Sequence, residues 1–196
     1  MPRARLSPEP PEGLVYQPDL VTVDEERELL DEIEQLDFEP IVMKGVVARR
    51  TAVRYGRGYD YDRRVPTEGA APIPEWLVPV RDRAAALAGV RGDELVQALV
   101  QRYPEGAPIG WHRDSPAYEL VAGVSLLSPA RLRLRRGSGD ERMQWEVPLE
   151  PRSGYVLSGA ARWTWEHHVP PAKSLRYSIT FRSLRGDRSP ARARPH

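Results

Sequence analysis

The chain contains no cysteine, which excludes disulfide scaffolds, thiolate zinc sites, iron–sulfur clusters and cysteine nucleophiles. Histidine is scarce too, with four in 196 residues: His112, His167, His168 and His196. Any metal must be held by this small set together with carboxylates or water. Charge of one sign is missing as well. The formal net charge of +1, from 29 basic and 28 acidic side chains, argues against a protein that coats polyanions through bulk charge. A case for nucleic acid therefore has to rest on local patches. No window approaches the roughly 18 apolar residues of a membrane span, and the opening MPRARLSPEPPEG lacks the apolar stretch of a signal peptide. The expectation is a soluble, cytoplasmic, monomeric protein with no membrane partner, long enough for one domain with a sizeable core.

Residues 1–14 and 186–196 are rich in proline, arginine and small residues without apolar periodicity, and are expected to be disordered tails, the second of them basic. Thr22 followed by Glu25 has the spacing of a capping box, and Leu29, Leu30, Ile33 and Leu36 recur at helical spacing, which predicts a helix over 23–36. A second helix is predicted from Pro74, with Trp76, Val80, Ala84 and Leu87 on one face and Gly89 as its stop. From Asp93 the pattern changes to short alternating runs: ELVQALVQRY, ELVAGVSLLS, RLRLRR, MQWEVPL, GYVLSG and LRYSITFRSL. Turn-forming residues separate them at the spacing of an all-β barrel or sandwich. The expected organisation is thus a helical region over 15–92 that supports a β core over 93–185.

Two stretches can carry chemistry. In Trp111-His112-Arg113-Asp114, an extended backbone points His112 and Asp114 to one side, where both can reach one metal while Arg113 turns away. His167 and His168 are the remaining structured histidines. Two histidines and a carboxylate with open positions is the arrangement of non-haem Fe(II) oxygenases, although zinc accepts similar ligands and a surface His–Asp pair is the plainer alternative. The second stretch is the run from Leu175 to Arg182. Arg176, Ser178, Thr180 and Arg182 share one face, and Tyr177, Ile179 and Phe181 the other. Turned toward a barrel interior, the arginines call for an anionic ligand such as a dicarboxylate; on a half-exposed strand they are simply solvated.

Val100–Leu184 resembles the AlkB family of Fe(II)- and 2-oxoglutarate-dependent dioxygenases. The resemblance rests on Tyr103, Gly106, His112-x-Asp114, His167-His168-Val169-Pro170-Pro171 and the strand Arg176-Tyr177-Ser178-Ile179-Thr180-Phe181-Arg182. It implies a mainly β (α+β) fold: a double-stranded β-helix, or jelly roll, with N-terminal supporting helices and a nucleotide-recognition lid. It also implies Fe(II) as cofactor, with 2-oxoglutarate and O2 as co-substrates. Carried over by position, His112, Asp114 and His167 become the iron ligands and catalytic residues, with His168 standing where the family usually has glycine. Arg176 would bind the distal carboxylate of 2-oxoglutarate, Arg182 would lie toward its keto-acid end, and Tyr103 would help hold it. Gln101 and Ser178 replace the family's usual asparagines and keep their hydrogen-bonding capacity. The implied reaction converts 2-oxoglutarate to succinate and CO2 while a C–H bond is hydroxylated; a hydroxylated N-methyl group then leaves as formaldehyde.

The lid implied by the resemblance falls on RRTAVRYGRGYDYDRR, residues 49–64, with six arginines, two aspartates and three tyrosines. Basic residues interleaved with aromatics suit a phosphate backbone and a stacked base. Arg50, Arg54, Tyr55, Tyr59 and Tyr61 are the candidate substrate residues. The expected activity is oxidative demethylation of alkylated single- or double-stranded nucleic acid. Only Glu119 is acidic just beyond His112-x-Asp114, where repair enzymes of the family tend to carry further acids, so action on tRNA or on a protein side chain stays open. A catalytically silent nucleic-acid-binding module is the reading from another class.

Overall fold

The computed structural model describes residues 5–43, 45–60, 65–67 and 71–186. Its elements are, in order, strands β1 (Arg5–Leu6) and β2 (Leu14–Gln17), helix α1 (Val23–Glu34), strands β3 (Glu39–Met43), β4 (Val46–Gly56), β5 (Gly58–Asp60) and β6 (Val65–Thr67), and helix α2 (Val78–Ala88). Then come β7 (Gln97–Tyr103), β8 (Ile109–His112), β9 (Tyr118–Leu126), β10 (Ala130–Arg136), β11 (Met143–Leu149), β12 (Gly154–Leu157), the short helix α3 (Gly159–Trp163), β13 (Glu166–Val169) and β14 (Arg176–Leu184). A major sheet has the strand order β2-β12-β9-β14-β7-β4-β3, and a minor sheet the order β1-β11-β10-β13-β8. The two enclose the interior of a jelly roll, as the alternating runs and the family resemblance imply. No helix among the described residues is long and apolar enough to cross a membrane.

The helices form for the expected reasons. At the start of α1 the Thr22 amide donates to the Glu25 carboxylate at 2.8 Å and the Glu25 amide donates to the Thr22 hydroxyl at 3.2 Å, a reciprocal capping box. The Arg83 guanidinium of α2 grips the same carboxylate and, with the Thr22 amide, holds its pKa down to about 2. One acidic residue thus caps α1 and ties it to α2. A single 3-10 turn, Glu75–Leu77, precedes α2, whose first turn contains Pro79, and Gly89 ends the helix in the left-handed conformation with φ 70°.

Leu29 and Ile33 of α1, and Val80 and Ala84 of α2, pack against Ala98, Val100, Tyr177, Ile179 and Phe181 of β7 and β14. This is the helix face of the major sheet. A second apolar cluster, including Leu134, Val147, Leu149 and Trp165, fills one end of the space between the sheets. The rest of that space is polar and holds the site.

Three expectations need correction. The tail predicted over 1–14 is ordered from Arg5 onward: Arg5–Leu6 pairs in parallel with Met143–Gln144 at the edge of the minor sheet, and Pro11 is buried. A two-residue pairing has no local periodicity, so nothing in the sequence announces it. Residues 49–56, assigned to a lid, lie inside the major sheet as β4, paired with β7 from Thr51↔Arg102 to Gly56↔Gln97. Tyr55 accordingly packs against the helix-side core rather than standing at a surface. Tyr61, the tail from residue 187 on and the side chain of Tyr59 lie outside the described residues.

Gly123 of β9 sits directly across from Tyr155 of β12, whose ring lies over it; a β-carbon there would stand 2.3 Å from the ring. Gly123→Ala is therefore expected to displace Tyr155 and lower stability by about 1–3 kcal/mol, the usual cost of overpacking, seen as a fall of several degrees in Tm. An unchanged Tm would mean that the ring has another place to go.

Candidate metal and dicarboxylate site

On β14 the alternation of the strand puts Tyr177, Ile179 and Phe181 on the helix face and turns Arg176, Ser178, Thr180 and Arg182 toward the cavity. The β7 register sets Tyr103 opposite Arg176 and Gln101 opposite Ser178, so these four share one wall. From the facing minor sheet come His112 at the end of β8 and His167 on β13, which are themselves paired, with Asp114 two residues beyond. One ligand-capable atom from each of His112, Asp114 and His167 lies within 4.8 Å of the other two. The same three residues are the ligands that the family resemblance implies. His168 faces away: its Nδ1 donates to the Ile109 carbonyl at 2.7 Å and its ring is 4.9 Å from that of Trp111. Adjacent residues on a strand point oppositely, and this removes the ambiguity between the two histidines.

Protonation states follow from the surroundings. Burial, then the neighbouring His167, lowers the His112 pKa to about 4 against the pull of Asp114, so its imidazole is neutral near pH 7. Its Nδ1 is 2.8 Å from the Gly110 carbonyl, which can only accept, so Nδ1 carries the proton and Nε2 offers its lone pair. Burial alone would raise the Asp114 carboxyl, but Arg182, His167 and His112 hold it well below the usual carboxylate range. Asp114 Oδ1 accepts from Arg182 Nε at 3.2 Å and Nη2 at 2.9 Å, and its Oδ2 lies 3.3 Å from His167 Nε2. Arg182 also donates to Gln97 at 2.9 Å. These contacts fix Asp114, and Arg182 lines the same cavity as the two histidines.

The other arginine is different. Arg176 is 1% exposed, donates through Nε to the Ser125 hydroxyl at 3.1 Å and lies 4.9 Å above the Tyr103 ring, yet its buried Nη1 has no hydrogen-bond partner. A buried guanidinium nitrogen without an acceptor is costly unless an anion meets it. Arg50, expected among the substrate residues, is buried at 8% exposure and donates to Gln101 Oε1 at 3.1 Å, where the Tyr103 hydroxyl also donates at 3.4 Å. It belongs to the wall of the cavity and not to an outer surface. Arg54, two register positions along the same face of β4, is exposed. Sequence reasoning missed Ser125, which holds Arg176, and Tyr155, which lines the cavity; burial pushes the Tyr155 hydroxyl up to about 12, so it is a neutral donor. The run ELVAGVSLLS gave the signal for Ser125, a polar residue set among the apolar residues from Leu120 to Leu127.

The model of the 2OG-Fe(II) oxygenase superfamily matches residues 13–182. The chain belongs to this superfamily. It resembles proteins of the AlkB group. It is 29% identical to the Arabidopsis thaliana protein named "Alkylated DNA repair protein ALKBH8 homolog", over 88% of this chain and 58% of that one. It is 28% identical to the Xenopus tropicalis "tRNA (carboxymethyluridine(34)-5-O)-methyltransferase alkbh8", over 86% of this chain and 27% of that one. The chain thus spans a little over half of one relative and about a quarter of the other. The structure of OsALKBH1 superposes with a TM-score of 0.70 over 91% of this chain and 99% of that one, at 17% identity, and so shares the fold.

Membership of the superfamily implies Fe(II), 2-oxoglutarate and O2. The donor set fits: two imidazoles and an ionised carboxylate suit Fe(II), and the open acceptor requirement of Arg176 suits a carboxylate. Arg182→Leu would leave the Asp114 carboxylate buried without its guanidinium. The expected loss is about 3–5 kcal/mol of unfolding free energy, read by urea denaturation. A loss below about 1 kcal/mol would show that other groups carry this charge.

Proposed function

We propose that this domain oxidatively demethylates alkylated bases in nucleic acid, releasing formaldehyde, succinate and CO2, with His112, Asp114 and His167 holding Fe(II) and Arg176 binding the distal carboxylate of 2-oxoglutarate. The observation that carries the chemistry is Arg176 Nη1, buried and unpartnered in the same cavity as the triad. When bound, the metal and co-substrate supply O2 activation and C–H hydroxylation. The chain supplies placement. Tyr103 lies under the Arg176 guanidinium, and Ser125 Oγ accepts a hydrogen bond from its Nε, which orients the unpartnered Nη1. Gln101 is held by Arg50 and Tyr103, and with Ser178 offers neutral hydrogen bonds along the same wall. Arg182 keeps Asp114 ionised and oriented as a ligand. The apolar cluster behind the triad closes that end of the cavity to water.

Support for nucleic acid comes from two sides. The names of the two relatives described above concern nucleic acid, one DNA and the other tRNA. Arg54 is exposed on the cavity face of β4, where it can meet a phosphate of a strand whose base enters the site.

Succinate formation is expected to require Fe(II) and to be lost in His112→Ala. Arg176→Met is expected to weaken 2-oxoglutarate binding roughly 10- to 150-fold, corresponding to about 1.5–3 kcal/mol for a charge-assisted hydrogen bond. Mass spectrometry of methylated DNA, RNA and peptide panels tests the substrate class; turnover of 2-oxoglutarate without loss of any nucleic-acid methyl group would remove the demethylase reading. Separately, Arg54→Ala is expected to weaken oligonucleotide binding and reduce its salt slope by about one while sparing uncoupled 2-oxoglutarate turnover. An unchanged slope would exclude Arg54 from phosphate contact.

A further inference from the structure

The two strands that carry the histidine ligands meet at an irregularity. His167 pairs with His112 and Val169 with Ile109, so Gly110 and Trp111 on β8 stand against the single residue His168 on β13. This is a β-bulge, and it frees main-chain groups from the ladder while re-aiming the side chains beside it. Two carbonyls of the bulged strand are met by imidazoles. Gly110 O accepts from Nδ1 of His112, and Ile109 O accepts from Nδ1 of His168. The strand concerned has only four residues and lies at the edge of the minor sheet, so backbone pairing alone holds it weakly.

Side chains on the solvent side make up the deficit. Trp111, next to His112, and His168, next to His167, are both half-buried on the face opposite the ligands, with ring centroids 4.9 Å apart. The Arg135 guanidinium lies 4.3 Å from the Trp111 ring and is held by Glu166, its cross-strand partner on β13, at 2.8 Å. Glu166, Arg135, Trp111, His168 and the Ile109 carbonyl therefore form one continuous series of contacts across β10, β13 and β8. Three of its links, Arg135–Trp111, Trp111–His168 and His168–Ile109 O, join the edge strand to the interior of the sheet.

We propose that Trp111 and His168 are positioning residues that clasp this bulge from the solvent side and so fix the orientation and tautomer in which His112 presents Nε2 to the metal. The proposal rests on the assignment of His112, Asp114 and His167 as the metal site. Partners behind metal-ligating histidines commonly change metal affinity 10- to 100-fold when removed.

Co(II) serves as the probe, its affinity read from the d–d absorption of the titrated apo protein, beside the Tm of the apo protein and the His112 tautomer from long-range 15N–1H correlation spectra. His168→Ala and Trp111→Ala are expected to weaken Co(II) binding at least about 10-fold and to reduce the Nδ1-protonated fraction of His112. His168→Asn, whose amide can donate to the Ile109 carbonyl in place of Nδ1, is expected to restore both, as Trp111→Phe is to restore the ring contact. Co(II) affinity within about twofold of the parent and an unchanged His112 tautomer in the alanine variants would overturn the clasp. So would losses that follow Tm and are not recovered by the Asn and Phe variants. If the parent protein itself binds no Co(II), or binds it as well after His112→Ala, the metal-site assignment fails and the clasp with it.

Discussion

A β-sandwich interior can accept arginine only where something of opposite charge or strong acceptor character meets it, because an unpaired buried charge costs several kcal/mol. Strand β14 places two arginines there, Arg176 and Arg182, six residues apart on its cavity face. Asp114 from the facing sheet meets Arg182 through two hydrogen bonds, and that ion pair links the sheets across the site. It also settles the protonation of a metal ligand. Arg176 has Ser125 and the Tyr103 ring but leaves one nitrogen without an acceptor. The fold therefore carries a built-in requirement for an anion at one end of the cavity and a satisfied charge at the other. The opposite face of the same strand offsets the cost: Tyr177, Ile179 and Phe181 are buried under the helices, each contributing about 1.5–3 kcal/mol of apolar burial.

What was legible in the sequence follows from which signals are local. The period of two in LRYSITFRSL assigned the two faces of β14 correctly, and the capping box placed α1 to within two residues of its end. His112 and Asp114 do come together, as the i, i+2 spacing suggests, although Asp114 lies two residues past the end of β8. The basic segment over residues 49–64 misled because counting its charges ignores that alternate residues of a strand face different environments. Within eight residues of β4, Arg50 is buried against Gln101, Arg54 is exposed, and Tyr55 packs under a helix. No local rule separates them. The bulge opposite His168 is likewise invisible in sequence, because its existence depends on the register of a partner strand more than fifty residues away.

The neutral net charge takes on a structural meaning once the faces of the major sheet are distinguished. The acidic helix α1 packs on the helix face, and part of its charge is engaged there: Glu25 by Arg83, and Glu26 by Arg152 at 3.4 Å and by the amide of Leu127 at 2.9 Å, a residue held at positive φ. Arg50, Arg54, Arg176 and Arg182 lie on the cavity face. A single sheet thus separates an acidic side from a basic one, and a polyanion approaching this chain of net charge +1 meets a field whose sign depends on direction. Such a field orients a ligand toward the cavity without adding affinity everywhere else. The proposed function would need such a field, to bring a charged strand to one small opening rather than bind it over the whole surface.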